Sequence, residues 1–281
     1  LAAFKGLIDI WDVVNEAATA MPAHGDGRPA IPRLCRRLGS PELVRACFAA
    51  ARETNPDATL LLNDFDYGEP YAELIANSLE AGAAIDVIGI QSHMHPGYKG
   101  AEWLWGTCER FARFGKPLHF TELTLLSGAL KTDNDWLSHH PGWDSTAAGE
   151  QRQRVETVET YRMLYSPPAV EAITWWDLAD RWAWQGAPAG LVRQDLSPKP
   201  AYLALQKLIK GEWWTGPLDL CTDGTGVLRF RGHLGSYVVR AGRLESRFEL
   251  PAPGTHAQQL HLKTLEHPRP AGTANGLEER R

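Results

Sequence analysis

Glu16 and Glu122 each close a short apolar run, and carboxyl groups held at the ends of neighbouring strands are what cleavage of a glycosidic bond requires. One carboxyl donates a proton to the leaving oxygen. The other attacks the anomeric carbon or activates a water, and carboxyls about 5 to 5.5 Å apart leave no room for that water, which forces a covalent, retaining route. Asn15, just before Glu16, offers an amide for a sugar 2-hydroxyl. Similar placements recur at Asn63 and Asp64, at Gln91 and His93, and at Trp176 with Asp180. Any one acid after a strand is most often a helix cap or a solvated loop charge. Recurrence at five strand ends argues instead for one shared edge.

The elements that must present these residues alternate along the chain. Apolar runs predict strands over 7–14, 59–62, 87–90, 118–120 and 172–175. Amphipathic stretches predict helices over 42–54, 71–81, 100–114, 150–165 and 201–210. Ser40, Pro41 and Glu42 read as a helix start, with the Ser40 oxygen as cap. Strands that are apolar throughout are buried on both faces, as in a parallel sheet covered by helices. Repeated βα units with polar residues at the C-terminal strand ends suit a (β/α)8 barrel, and an open doubly wound sheet shares the pattern. Past Gly211 the texture changes to short runs broken by Gly and Pro: GEWWTGPLDL, GTGVLRFRG, LGSYVVRAG and RFELPAPG. They predict a small antiparallel β module over 211–266. The tail 267–281 has little to bury and is expected to be disordered.

Composition narrows the partners. The 281 residues are 43% hydrophobic and 22% charged, with a formal net charge of −5, so no basic stripe favours nucleic acid or an anionic membrane surface. No apolar run approaches the roughly 18 residues of a membrane span. The start at Leu1 lacks the regions of a signal peptide and enters a strand-like run at once, which reads as a cut in a longer protein. Cys35, Cys47, Cys108 and Cys221 lack CxxC spacing and are expected as buried free thiols. The pairs His93/His95 and His139/His140 have no carboxylate or Cys at ligand spacing, so neither metal nor other cofactor is expected. The eleven tryptophans cluster beside turn residues. Their faces suit the flat C–H surfaces of sugars, although packing accounts for any one of them equally well.

At this point a resemblance becomes specific. WDVVNEA at 11–17 looks like the acid/base strand of glycoside hydrolase family 10. NDF at 63–65, DVIGIQSHMH at 86–95, FTEL at 120–123 and WWDLADRWAW at 175–184 follow in that family's order. The resemblance covers about residues 5–210. It implies a (β/α)8 TIM barrel of which only strands four to eight are present, so that 1–210 is a partial catalytic barrel. It also implies a retaining endo-1,4-β-xylanase, with Glu16 as acid/base, Glu122 as nucleophile and Asn15 on the 2-hydroxyl. Gln91 and His93 would support the nucleophile and the same sugar. Trp176 and Trp184 would form the aromatic floor and wall, and Phe65 an aromatic on the leaving-group side. Asp180 is expected to anchor the loop after the last strand. For the chemistry to run, Glu122 must be ionised while Glu16 is protonated.

The sequence departs from the family pattern in two places. Thr124 stands where the family usually continues with Asp, so the chain of hydrogen bonds from Glu122 through His93 ends on a hydroxyl that accepts without supplying charge. Asp177 stands where the family commonly has Gly, an expected change in that loop. A five-strand remnant would also expose two unpaired strand edges. The implied partner is xylan or another β-1,4-linked polysaccharide, met outside the cell or in the periplasm by a monomeric protein. A β-1,4-glucanase of related barrel type and a non-catalytic carbohydrate binder are the competing readings.

Overall fold

The computed structural model describes residues 1–18 and 30–264. The chain divides into two compact units, Leu1–Leu208 and Ile209–Arg281. The first unit is built on strands β1 (Ile10–Asn15), β2 (Thr59–Asp64), β3 (Val87–Ile90), β4 (His93–Met94), β5 (Leu118–Leu125) and β6 (Val170–Trp175). All of their pairings are parallel, in the spatial order β1, β2, β3, β5, β6, and β4 pairs with β5 just beyond β3. Helices α1 (Ala30–Leu38), α2 (Ser40–Thr54), α3 (Glu69–Glu80), α4 (Ala101–Ala112), α5 (Ala147–Leu164) and α6 (Pro200–Lys207) alternate with the strands. This is part of a (β/α)8 barrel.

The reason lies in the runs themselves. TLLLND and VIGI are buried almost end to end, and the core joins Leu60, Leu62, Ile88, Ile90 and Phe120 to the helix residues Phe48, Ile75 and Phe111. Tyr71 on α3 reaches down to the sheet, where its single hydroxyl proton has the carbonyls of Leu62 (2.7 Å) and Gly89 (2.9 Å) within reach. Its buried hydroxyl is held well above the ordinary tyrosine range by desolvation. Below the strands, Asp86 accepts from Arg52 and from the Leu60 amide (2.8 Å), fixing the entry to β2. The two outer strands differ. Among the described residues β1 pairs only with β2 and β6 only with β5, and both remain largely accessible along their length, as open edges require.

Some local expectations need correction. Ser40 does not cap α2: it is the first helical residue, Gly39 occupies the cap with φ +84°, and the Ser40 hydroxyl lies 3.2 Å from the Cys35 sulfur instead. The helix α1 departs from the expected series, since its pattern RLCRR carries too few apolar residues to stand out. β1 begins at Ile10 rather than at residue 7, because a short 3-10 turn at Ala2–Phe4 and the bend after it precede it. Cys35 and Cys108 are buried and free, but Cys221 is exposed.

Among the described residues of the second unit, only the later runs form strands. β7 (Gly235–Ala241) and β8 (Leu244–Leu250) make an antiparallel hairpin, and β9 (Lys263–Thr264) pairs with β8. The runs at 213–220 and 224–232 are irregular, punctuated by an Asp223-centred turn in which that carboxylate accepts from Thr225 and Val227. Phe230, Tyr237 and Phe248 cluster on one another, with the last two stacked at 5.3 Å. The tail expected to be disordered, 267–281, lies outside the described residues.

Candidate active site

The C-terminal ends of β1, β2, β3 and β5 bring most of the expected residues together. Glu16 follows β1 with φ +61°, a conformation costly for a side chain with a Cβ, and its amide is held by the Asn63 carbonyl (2.9 Å). Ser92, between β3 and β4, has φ +58°. That turn separates the directions of Gln91 and His93, so that the two side chains serve different carboxylates. Gln91 donates its amide to Glu16 Oε1 (3.1 Å) and to Asn15 Oδ1 (3.1 Å). His93 Nε2 lies 3.1 Å from Glu122 Oε2.

Asn63 closes the circuit and is the member of it that sequence reasoning left without a role. Its Nδ2 donates to Asn15 Oδ1 (2.9 Å) and to Glu122 Oε1 (3.0 Å), while Thr121 donates its hydroxyl to Asn63 Oδ1 (2.7 Å). One chain of amides therefore runs from Glu122 through Asn63, Asn15 and Gln91 to Glu16. Room for it comes from Gly89: a Cβ there would stand 2.6 Å from Asn63 Oδ1 and 3.2 Å from the Asn63 Cα. The signal in the sequence was the polar end of TLLLND, but partners 48 and 59 residues away leave no local trace.

Around this circuit stand groups that resist charge. Desolvation, and then the charge of Glu122, pushes the Asp12 carboxyl up to about 6. Desolvation also raises Asp64 to about 6, although its oxygens accept from the amides of Ala18 (3.0 Å) and Asp66 (3.1 Å) and so hold the turns after β1 and β2. His95, buried beneath Trp136, Trp143 and Trp184, is driven down to about 3 by desolvation and then by the nearby His93 and Lys131. Burial likewise raises the Tyr67 hydroxyl, which stands against the Ser92 and His93 backbone.

The two expected tryptophans flank His93. The Trp184 ring is 4.9 Å away and the Trp176 ring 6.4 Å, with Trp176 40% exposed. Asp177 ties the far end of the loop to its start, because its Oδ2 accepts the Trp184 amide (2.7 Å). Asp180 accepts from Lys199 (2.7 Å) and from the Gly190 amide (2.8 Å), and so anchors the loop as expected. Trp136, from the loop after β5, stacks on Trp184 at 6.0 Å. Phe65 lies apart. Its ring is 38% exposed just beyond β2, and among the described residues it shares no hydrogen bond or ring contact with the circuit.

A parallel βα sheet with its polar groups gathered along the C-terminal strand ends defines a member of the barrel class. Within that class, residues 1–208 match the model of glycosyl hydrolase family 10, and the chain belongs to this family. It is 29% identical over 224 residues to endo-1,4-beta-xylanase B of Thermotoga neapolitana, covering 74% of this chain and 58% of that protein. It is 26% identical over 263 residues to the anti-sigma-I factor RsgI6 of Acetivibrio thermocellus, covering 92% of this chain and 29% of that protein. The structure of a thermostable xylanase mutant from Cellvibrio japonicus superposes with a TM-score of 0.61 at 27% identity, over 75% of this chain and 68% of the other. The chain thus spans between about a third and three-fifths of the length of these two curated relatives.

Proposed function

We propose that this chain carries the two catalytic carboxyls of a retaining endo-1,4-β-xylanase. The observation that supports the reading most directly is the hydrogen-bonded circuit joining Glu16 to Glu122 through Gln91, Asn15 and Asn63. Glu122, receiving N–H bonds from Asn63 and His93, is the nucleophile. Its ionised form is the one these donors stabilise. Glu16 gives its proton to the leaving glycosidic oxygen as Glu122 attacks the anomeric carbon. In the second step Glu16 takes a proton from water, the water oxygen bonds to that carbon, and Glu122 leaves with overall retention. Asn15 faces the sugar 2-hydroxyl, Gln91 orients Asn15 and Glu16, and Trp176 and Trp184 supply apolar faces for the ring. Phe65 serves the leaving-group side as an exposed stacking surface.

The substrate in this reading is xylan, a polymer met outside the cytoplasm, so the working protein is secreted. Reducing-sugar release from soluble xylan and from carboxymethylcellulose tests the assignment. The assay takes the chain and any longer natural protein containing it, each beside its Glu122→Ala variant. Release from xylan that vanishes in the variant is the expected result. Release from the cellulose derivative alone would replace the substrate, and release that survives Glu122→Ala would remove the nucleophile.

A further inference from the structure

Lys99 lies between β4 and α4, outside the circuit that joins Glu16 to Glu122. Its Nζ stands 4.5 Å from the centre of the Tyr67 ring and 4.3 Å from that of Trp103, and the two rings meet edge to face at 4.7 Å. The aromatic pair fixes the place of the ammonium, because both π systems attract it. Tyr67 in turn is tied to the site: its hydroxyl end stands against the backbone of Ser92 and His93 and feels the charge of Glu122. One tyrosine ring thus separates the ammonium from the residue that holds the Glu122 carboxylate.

Lys131 shows what a lysine used for packing looks like in this fold. It too lies over two rings, Trp136 and Trp143, but it is buried and gives its hydrogens to Asp133 and the Asp135 carbonyl, both at 2.6 Å. Lys99 is exposed, and among the described residues it makes no hydrogen bond or ion pair. Burial against the rings lowers its pKa from the ordinary 10.5, and no neighbouring carboxylate raises it back. The carboxylates of the loop after β2 and the start of α3 are taken up elsewhere, since Asp66 accepts the Gly68 amide (2.6 Å) and Glu69 pairs with Arg113 (3.5 Å). What remains is a positive charge held in place beside the strand ends and open to solvent.

We propose that Lys99, presented by Tyr67 and Trp103, binds the carboxylate of a uronic acid side group on the polysaccharide, so that the site favours acid-substituted xylan over its uncharged counterpart. The inference rests on the xylan reading above and names the substituent that the site takes. A backbone of xylose is uncharged and gives an ammonium no counterion, whereas a uronic acid joined to it carries a carboxylate at neutral pH. The rings keep water from one side of the ammonium, which strengthens its pairing relative to a fully solvated lysine. Phe65, 38% exposed and two residues before Tyr67, belongs to the same loop, which puts the substituent on the leaving-group side of the site. The chain as a whole does not draw in a polyanion, because its formal net charge is −5. A preference for the acid polymer is therefore local.

The test compares glucuronoxylan with the same polymer after its carboxyls have been reduced to hydroxymethyl groups, which keeps the sugars and removes the charge. The proteins assayed for xylan release, each carrying Glu122→Ala so that the polymer stays intact, are run in native gels containing one polymer or the other. Retardation gives the two dissociation constants, and their ratio carries the test rather than either constant. The acid polymer is expected to bind about 2- to 5-fold tighter at low salt, and the ratio shrinks as salt screens the pair. K99R keeps the ratio, K99M brings it to about one, and K99E inverts it. A ratio of one without any Lys99 substitution, or a ratio unchanged in K99M and K99E, overturns the proposal, and K99M suffices if K99E fails to fold. Equal binding of both polymers leaves the xylan reading standing and removes the role of Lys99 alone. If no form of the protein binds either polymer, the xylan reading falls and this inference falls with it.

Discussion

Replacing His95 with Phe should make the protein more acid-resistant. Burial, His93 and Lys131 lower its folded-state value from 6.5 to about 3, and its Nδ1 finds no hydrogen-bond partner among the described residues. The unfolded chain therefore binds a proton below about 6.5 that the folded chain refuses until about 3. Stability supplied by the neutral ring is full above 6.5 and falls as pH drops through that window. Between pH 7 and pH 4 the linkage comes to about 3 kcal/mol, and it saturates near 5 kcal/mol below pH 3. Asp12 and Asp64 act in the opposite sense, since carboxyls raised to about 6 favour the folded state as pH falls below that value. The natural protein alone would mix these effects. The informative quantity is the difference between His95→Phe and the natural protein in urea unfolding followed by tryptophan fluorescence at pH 7, 5.5 and 4. The variant should gain about 3 kcal/mol relative to the natural protein over that range. A difference that stays within about 1 kcal/mol at every pH would mean that folded His95 accepts its proton, and the desolvation argument would be wrong.

Under the proposed mechanism, Glu16→Ala should cut kcat/KM on xylan by about 10² to 10⁴. It should cost far less on an aryl glycoside whose leaving group needs no proton, and equal losses on both would remove Glu16 as the acid. Gly89→Ala should preserve the fold by circular dichroism yet lower kcat by about 10- to 100-fold, because its Cβ displaces the Asn63 amide that bridges Asn15 and Glu122. Unchanged kcat would show that the Asn63 bridge is dispensable. Lys199→Met removes a fully buried ammonium from Asp180 (2.7 Å) and Ser127 (2.8 Å). The carboxylate left behind should cost about 3 to 5 kcal/mol in urea unfolding, and adding Asp180→Asn should recover part of it. Hydrogen exchange should find the amides of β1 opening at lower free energy than those of β2 and β3, and equal protection would refute the edge-strand argument.

Much of this arrangement is readable because strand ends leave local marks. TLLLND and DVIGI carry their own boundary, where apolar residues give way to polar ones, and Gln91, His93 and Glu122 stand where that boundary places them. Thr124 stands where the family pattern has Asp, and its hydroxyl lies within hydrogen-bond reach of His93 Nδ1, where a residue at that place was expected to meet the ring. What could not be read depends on contacts distant in sequence or on backbone angles. The partners of Asn63 are brought in by neighbouring strands. Ser40 has every property of a cap, but Gly39 accepts the left-handed angle more readily and takes that place. Trp136 and His95 meet only because the loop after β5 folds back over the site. The runs at 211–232 are rich enough in β-formers to suggest strands, but their Gly and Pro break them before a ladder forms.

The circuit also divides the site by depth. Asn63, Gln91, Thr124 and the buried ends of β2, β3 and β5 give the Glu122 carboxylate a frame with neighbours on both sides. Glu16 hangs from β1, which among the described residues is paired on one side only and shifts register between Asp12 and Val14. Its direction is set by the left-handed turn at its own Cα, the Asn63 carbonyl and the Gln91 amide. Two of these three constraints come from the central strands. Glu16 is therefore positioned chiefly by the strands that hold Glu122, which explains how an edge strand can present a carboxyl at a defined place. Any partner strand that closes the free edge of β1 would add rigidity to Glu16 while leaving the Glu122 frame as it stands.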